Sequence, residues 1–169
     1  SDVCSSDLSS GKAAEKSLAR AIDHTAAIAS AELTGIMGKS LELTLDYLKT
    51  RVQFGKAIGS FQALQHRAVD LYIQQELSGA VLNDVLATLD EEPDDNTRSA
   101  AASRAKARCT DAALLITRQS IQMHGAIGFT EDCDVGLYVK RAMTLAAWLG
   151  NGHAHKRRYA RTEILEGAQ

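Results

Sequence analysis

Proline occurs once in these 169 residues, at Pro93, and aromatic side chains make up only 5% of the chain. So few breakers, with 45% hydrophobic residues rich in Ala and Leu, favour long helices over strands, which draw on aromatic and β-branched residues. A basic field is also lacking, since the formal net charge is -2. Electrostatics therefore gives no reason to expect nucleic acid or an anionic membrane surface, and small molecules or proteins are the expected partners. No apolar run approaches the length that spans a bilayer, so no membrane span is expected, and the N-terminus lacks the basic-then-apolar layout of a secretory signal. Cysteine is sparse and scattered. Cys4, Cys109 and Cys133 fit neither an even disulfide framework nor a zinc knuckle with paired ligands, which makes a reducing, cytoplasmic compartment the simplest expectation.

The length suits one domain with a real core. The opening SDVCSSDLSSGK is rich in Ser and Asp without periodicity, so residues 1–15 read as a disordered or non-native leader and 16–169 as the domain. From Asp23, a candidate N-cap, to about Thr50, apolar residues such as Leu33, Ile36, Met37, Leu41 and Leu48 recur at steps of three and four. After Ser60, another candidate N-cap, a second stripe runs through Leu64, Ala68, Leu71, Ile73, Leu77, Val81, Val85 and Leu89, and LDEEPDDN ends it. A third, alanine-rich helix runs from about Thr97 to the glycines at 125 and 128. The last begins near Asp134, breaks at GNG (150–152) and resumes as HAHKRRYARTEIL. Four helical segments with mostly short connections predict an all-α, antiparallel four-helix bundle.

Two connections carry candidate chemistry. In RVQFGKAIGSFQ, Arg51 offers donors suited to phosphate, Phe54 a flat apolar face, and Gly55 and Gly59 room for close backbone approach. That set suits a nucleotide cofactor. It equally suits a helix end in which Arg51 complements the dipole and Phe54 plugs a gap. QMHGAIGFTED repeats the theme, with Gln122 ahead of Gly125 and Gly128, and again a helix stop is the plain alternative.

The order of YLKTRVQFGKAIGSFQALQH, AKARCTDAALLITRQSIQMHGAIGFTED and LYVKRA resembles the C-terminal helical domain of flavin-dependent acyl-CoA dehydrogenases over about residues 16–165. The resemblance implies FAD as cofactor. Arg51 and Phe54 would meet its diphosphate and adenine regions across a dimer interface, with Gln53, Ile58 and Phe61 on the same path. Gln122, Gly125 and Ala126 would make the other flavin contact, Ala126 standing where the family has a second glycine. Asn151 and His153 would lie near the diphosphate edge, and Trp148 would line the acyl pocket. The implied reaction is α,β-dehydrogenation of an acyl-CoA, with electrons passed to an electron carrier and the bundle joining a homo- or hetero-tetramer.

The family's general base is a glutamate ahead of a Gly-Thr pair, or a residue in the first helix. Leu149 and Thr25 occupy those two positions, and neither can take a proton. Three expectations compete: a base elsewhere, with Asp23 and Glu32 the nearest carboxylates; a base-lacking subunit of a heteromeric enzyme, resembling actinobacterial types that act on bulky or steroid-derived side chains; or a diverged relative with another flavin reaction or none. A plain helical interaction module is a more distant alternative. The family also places two domains ahead of this bundle, so the chain alone is expected to show no turnover. The His153/His155 pair lacks a third ligand at useful spacing and a helix would point the rings apart, so no metal is expected. Lys156, Arg157, Arg158 and Arg161 form a basic stripe that could meet cofactor phosphates or simply face solvent. His66 suits a partly buried subunit contact and His124 a helix cap.

Overall fold

The computed structural model describes residues 11–166. Five α-helices follow one another: α1 (Gly11–Thr50), α2 (Gln62–Asp90), α3 (Asp95–His124), α4 (Val135–Ala147) and α5 (Gly152–Glu166). Between α1 and α2 sits a small antiparallel hairpin, β1 (Val52–Gln53) with β2 (Lys56–Ala57), in which Val52 faces Ala57 and Gln53 faces Lys56. The first ten residues of the expected leader lie outside the described residues, and residues 11–15 form the first turns of α1.

Side-chain contacts set the helix directions. Asp23 meets Arg98, Thr34 meets Cys109 and Tyr47 meets His124, so α1 and α3 run parallel. Arg104 pairs with Asp84 and Arg108 bonds Gln74, so α2 runs against α3. Lys106 bonds the Leu145 carbonyl and Lys156 pairs with Asp111, while Arg158 reaches Asp23 near the start of the bundle. Hence α4 and α5 descend together as one broken fourth helix. The result is the expected up-down-up-down bundle.

Its core follows from the helical period. Leu33, Met37, Ile116 and Leu145 are buried to within 1% of full, and alanines 102, 105, 112 and 113 of α3 let its neighbours approach closely. Truncating one of the large residues would cost about 2–5 kcal/mol. Asp94 caps α3, its Oδ1 accepting from Asn96 N (2.8 Å) and Thr97 N (3.1 Å), so that helix starts two residues before Thr97.

Several expectations about the elements are corrected. Asp23 is no N-cap; it lies inside α1, 1% exposed, where its carboxylate meets Arg158 Nη1 at 2.6 Å and Arg98 Nε at 3.4 Å. Such partners make a buried carboxylate tolerable mid-helix. Phe61, not Ser60, precedes α2, and the Ser60 hydroxyl instead donates to Ala57 O. Ile73 and Leu77 are 45% and 50% exposed, because α2 buries Ala68, Leu71, Ser78, Leu82, Val85 and Leu89 on its other side.

Candidate functional site

The parallel course of α1 and α3 places their C-termini together. There Tyr47 and His124 stack with ring centroids 4.5 Å apart, and His124 Nδ1 lies 2.8 Å from Ser120 O. His124 thus ends α3 as a buried ring whose Nδ1 meets a last-turn carbonyl, as the expected helix-end residue. From this end the hairpin after α1 and the turn after α3 both emerge, so the two glycine-bearing motifs, far apart in sequence, share one end of the bundle.

In the hairpin, Phe54 sits at the tip with φ +54 and is 91% exposed. A non-glycine residue in that backbone region costs about 1–3 kcal/mol. Strain and exposure of a large ring occur together, which is unfavourable unless something covers the ring. The plug reading is therefore not what the structure shows: the exposed ring meets Phe61 edge-on, with centroids 6.1 Å apart. Phe61 in turn lies under Lys56 Nζ at 4.3 Å from its centroid. Arg51 is exposed, and its guanidinium makes no bond or ion pair among the described residues. Its carbonyl accepts from Ile58 N at 2.8 Å, closing the loop, while Gln53 is exposed and donates back to Val52 O. Gly59 serves packing, not ligand approach, because a Cβ there would stand 2.8 Å from Leu48 O on α1.

The second motif divides similarly. Gly125, at φ +67, reverses the chain and has open space around it, whereas Gly128 is buried and a Cβ there would lie 2.8 Å from Ile121 O. Gln122 and Ala126 are exposed beside Gly125. A methyl at Ala126 therefore projects outward and leaves the turn intact. This end thus offers an unpaired guanidinium, a bare aromatic face, two exposed amides and an open glycine turn. Such a set can grip a phosphate-bearing, ring-bearing ligand.

Asn151, His153, Trp148 and Leu149 lie elsewhere. The turn that holds them is anchored to Lys106, about 27 Å along α3 from His124. Asn151 caps α5, its Oδ1 accepting from Ala154 N at 2.9 Å, and His153 is exposed. Both border a cleft of about 290 Å³ walled by Thr110, Leu114, Arg118 and Met143. Trp148 is 48% exposed, and Leu149 stands at φ +58. His153 and His155 do point apart, the latter being buried, and among the described residues no group of three metal-ligating side chains occurs.

Thr25 donates its hydroxyl to Ala21 O at 2.6 Å, a bond within the helix. The two nearby carboxylates are both committed. Asp23 is locked between Arg98 and Arg158. Glu32 receives Arg141 through both oxygens, at 2.5 and 2.9 Å, and that bidentate bond holds its carboxyl below the usual range. Of the basic stripe, Lys156 and Arg158 pair with Asp111 and Asp23, while Arg157 and Arg161 face solvent. His66 is exposed. Sequence reasoning missed Lys106 and His155, both buried behind the Leu149 turn; nothing local in SRAKARCT or HAHKRR signals burial of a lysine or a histidine.

Residues 16–164 match the family model described as acyl-CoA dehydrogenase, C-terminal domain. The chain is 39% identical over 136 residues to acyl-CoA dehydrogenase IpdE2 of Mycolicibacterium smegmatis, covering 80% of this chain and 41% of that protein. It is 34% identical over 139 residues to acyl-CoA dehydrogenase FadE34 of Mycobacterium tuberculosis, covering 82% of this chain and 19% of that one. Among solved structures, the Tcur3481-Tcur3483 steroid ACAD G363A variant superimposes with a TM-score of 0.82 at 27% identity, over 87% of this chain and 40% of that one. Butyryl-CoA dehydrogenase from Megasphaera elsdenii gives 0.81 at 23% identity, over 88% and 38%, a likeness of fold. The chain spans less than half the length of each of these relatives.

Proposed function

Because the chain belongs to the acyl-CoA dehydrogenase family through that family's C-terminal domain, we propose that it forms the FAD-gripping and subunit-joining part of an enzyme that dehydrogenates acyl-CoA thioesters. The observation that carries this reading is the strained, 91% exposed Phe54 beside the unpaired Arg51, at the same end of the bundle as Gln122, Gly125 and Ala126. These residues fit FAD: the guanidinium suits its diphosphate, Phe54 and Phe61 suit its adenine, and the glycine turn leaves backbone open to it. Ile58 and Gln53 complete that path. Asn151 and His153, beside the cleft at mid-bundle, would meet a second stretch of cofactor, with Trp148 against the acyl chain. When bound, FAD supplies the acceptor for the hydride leaving the acyl β-carbon.

Electrons would pass on to a protein carrier, and the assembly would be a tetramer in a cytoplasmic setting. Val69, Tyr72, Ile73 and Leu77 leave an exposed apolar row along α2 that suits a sister subunit. Among the described residues no helix is long and apolar enough to cross a membrane.

A second reading concerns the chemistry alone. Thr25 and Leu149 carry no carboxylate, and Asp23 and Glu32 are already paired. That favours a subunit which holds cofactor while a partner chain supplies the base, as the heteromeric character of the Tcur3481-Tcur3483 relative illustrates. The test is to purify the full-length protein alone, record its visible spectrum, and add acyl-CoA without oxygen. Bound flavin lost in Arg51→Ala and Phe54→Ala supports the first reading, and a flavin-free wild type refutes it. Bleaching of the flavin in the lone protein would refute the base-lacking subunit.

A further inference from the structure

The turn from Trp148 to Asn151, between α4 and α5, is held in an unfavourable shape by two buried side chains. Leu149 lies at φ +58 and Gly150 at φ +102. The glycine adopts this region freely, but a leucine does so only when its surroundings over-determine it.

Those surroundings are specific. Lys106 of α3 is 0% exposed, and its ammonium donates to Leu145 O at 2.8 Å and Gly150 O at 3.3 Å, with Thr110 Oγ1 at 3.4 Å. His155 of α5 is 3% exposed and sets Nε2 3.0 Å from Leu149 O. Since a carbonyl only accepts, Nε2 carries the proton and the buried Nδ1, which has no hydrogen-bond partner, is bare. Lys106, Arg158 and Asp23, from α3, α5 and α1, are the charges that act on this ring.

Burying an ammonium without a carboxylate partner is costly, and a plain helix break could satisfy its carbonyls with water. Here three successive features, the last-turn carbonyl of α4 and both carbonyls of the strained pair, are tied to the interior instead. Within the turn Trp148 and Asn151 are exposed, while the clamped pair Leu149 and Gly150 is half-buried.

We propose that Lys106 and His155 are positioning residues that fix the Trp148–Asn151 turn so that residue 149 faces the acyl thioester of a coenzyme A ligand. The inference rests on the reading of the chain as part of an acyl-CoA dehydrogenase. Neither side chain touches the ligand, and both act through the backbone of residues 149 and 150. The device works whether residue 149 is a base or, as here, an apolar contact.

The test uses the full-length flavoprotein titrated without oxygen with butanoyl-CoA and palmitoyl-CoA, the change in bound-flavin absorption giving Kd. His155→Leu removes the donor to Leu149 O, and binding should weaken about tenfold or more. His155→Gln, which keeps a side-chain N–H donor, should restore most of it. Lys106→Met should weaken binding likewise. Should that variant fail to fold, Gly150→Ala reports on the same turn, because its Cβ would stand 3.3 Å from His155 Nε2 without emptying the core. Unchanged Kd in both His155→Leu and Gly150→Ala overturns the proposal, as does a His155→Gln variant no better than His155→Leu. A wild type whose flavin responds to neither thioester also overturns it. Flavin-free protein would overturn this inference and the functional reading together, whereas retained flavin with Kd unmoved would overturn this inference alone.

Discussion

Replacing Asp23 with alanine isolates the buried charge cluster that ties α1, α3 and α5 together. Its carboxylate is 1% exposed and takes Arg158 at 2.6 Å and Arg98 at 3.4 Å. Removing one partner of a buried pair costs about 3–5 kcal/mol, since the remaining charge is stranded. Two reliefs act here. Arg98 keeps Asp95 at 2.6 Å, and Arg158, with a third of its side chain exposed, can turn toward water. The loss should therefore fall at the lower end, about 3 kcal/mol, or a fall in Tm of about 6–12 °C for a chain of this size. Urea and thermal unfolding followed by far-UV circular dichroism would measure it, with Arg104→Ala as a control. Arg104 meets Asp84 on the surface, where an ion pair contributes about 0–1 kcal/mol. In Arg158→Ala/Asp23→Ala the two losses should be far from additive. A loss under about 1 kcal/mol for Asp23→Ala would mean that water reaches the cluster, and the reasoning would fail.

Two glycines should respond oppositely to alanine. At Gly59 a Cβ would meet Leu48 O at 2.8 Å, so Gly59→Ala should destabilise by about 1–3 kcal/mol, whereas Gly79 in α2 has open space and Gly79→Ala should stabilise by up to about 1 kcal/mol; Tm shifts of the same sign in both would refute this. Burial foremost, then the nearby charges of Lys106 and Arg158, pushes His155 below its ordinary value near 6.5, against the opposing Leu149 carbonyl and Asp23. Below about pH 6.5 the unfolded chain then binds more protons than the folded one, so this contribution is fully present above that pH and declines as pH falls through and below it. Tm measured across that range should show the decline in the wild type and a flatter profile in His155→Leu.

The helices were legible because burial repeats every three or four residues, and α1 and α3 keep that rule over nearly their whole lengths. What periodicity could not show was the second side of a helix. Ile73 and Leu77 read as core because α2 is apolar on two faces, and nothing local separates the face that packs on α3 from the one left exposed. Buried charge was hidden for a related reason. Asp23 has its partners in α3 and α5, so in sequence it looks like a cap, and the burial of Lys106 and His155 depends on how α3, α4 and α5 pack together. The motifs at 51–62 and 122–132 were legible as a pair by resemblance, but their meeting at one end depends on α1 and α3 running parallel, which follows only from the packed bundle.

The same packing bears on where a proton could go. Glu32 and Arg141 pin α1 beside α4, and since α1 runs with α3 while α4 descends against it, the two helices are antiparallel there. Thr25 and Ile28 of α1 therefore extend in the direction in which α4 runs on to Thr144 and Trp148. Neither Thr25 nor Leu149 carries a carboxylate, yet the turn that holds Leu149 is strained and tied down by a buried clamp. A face abandoned altogether would have no need of a fully buried lysine holding its backbone. On the proposed reading of a base-lacking subunit, this scaffold would hold the ligand while the catalytic carboxylate comes from a partner chain. Leu149→Glu in the full-length protein is the direct check: flavin bleaching by acyl-CoA that appears with this one change would show that only the carboxylate was missing. No bleaching, with flavin and thioester both bound, would show that the face is no longer built to reach the substrate's α-carbon.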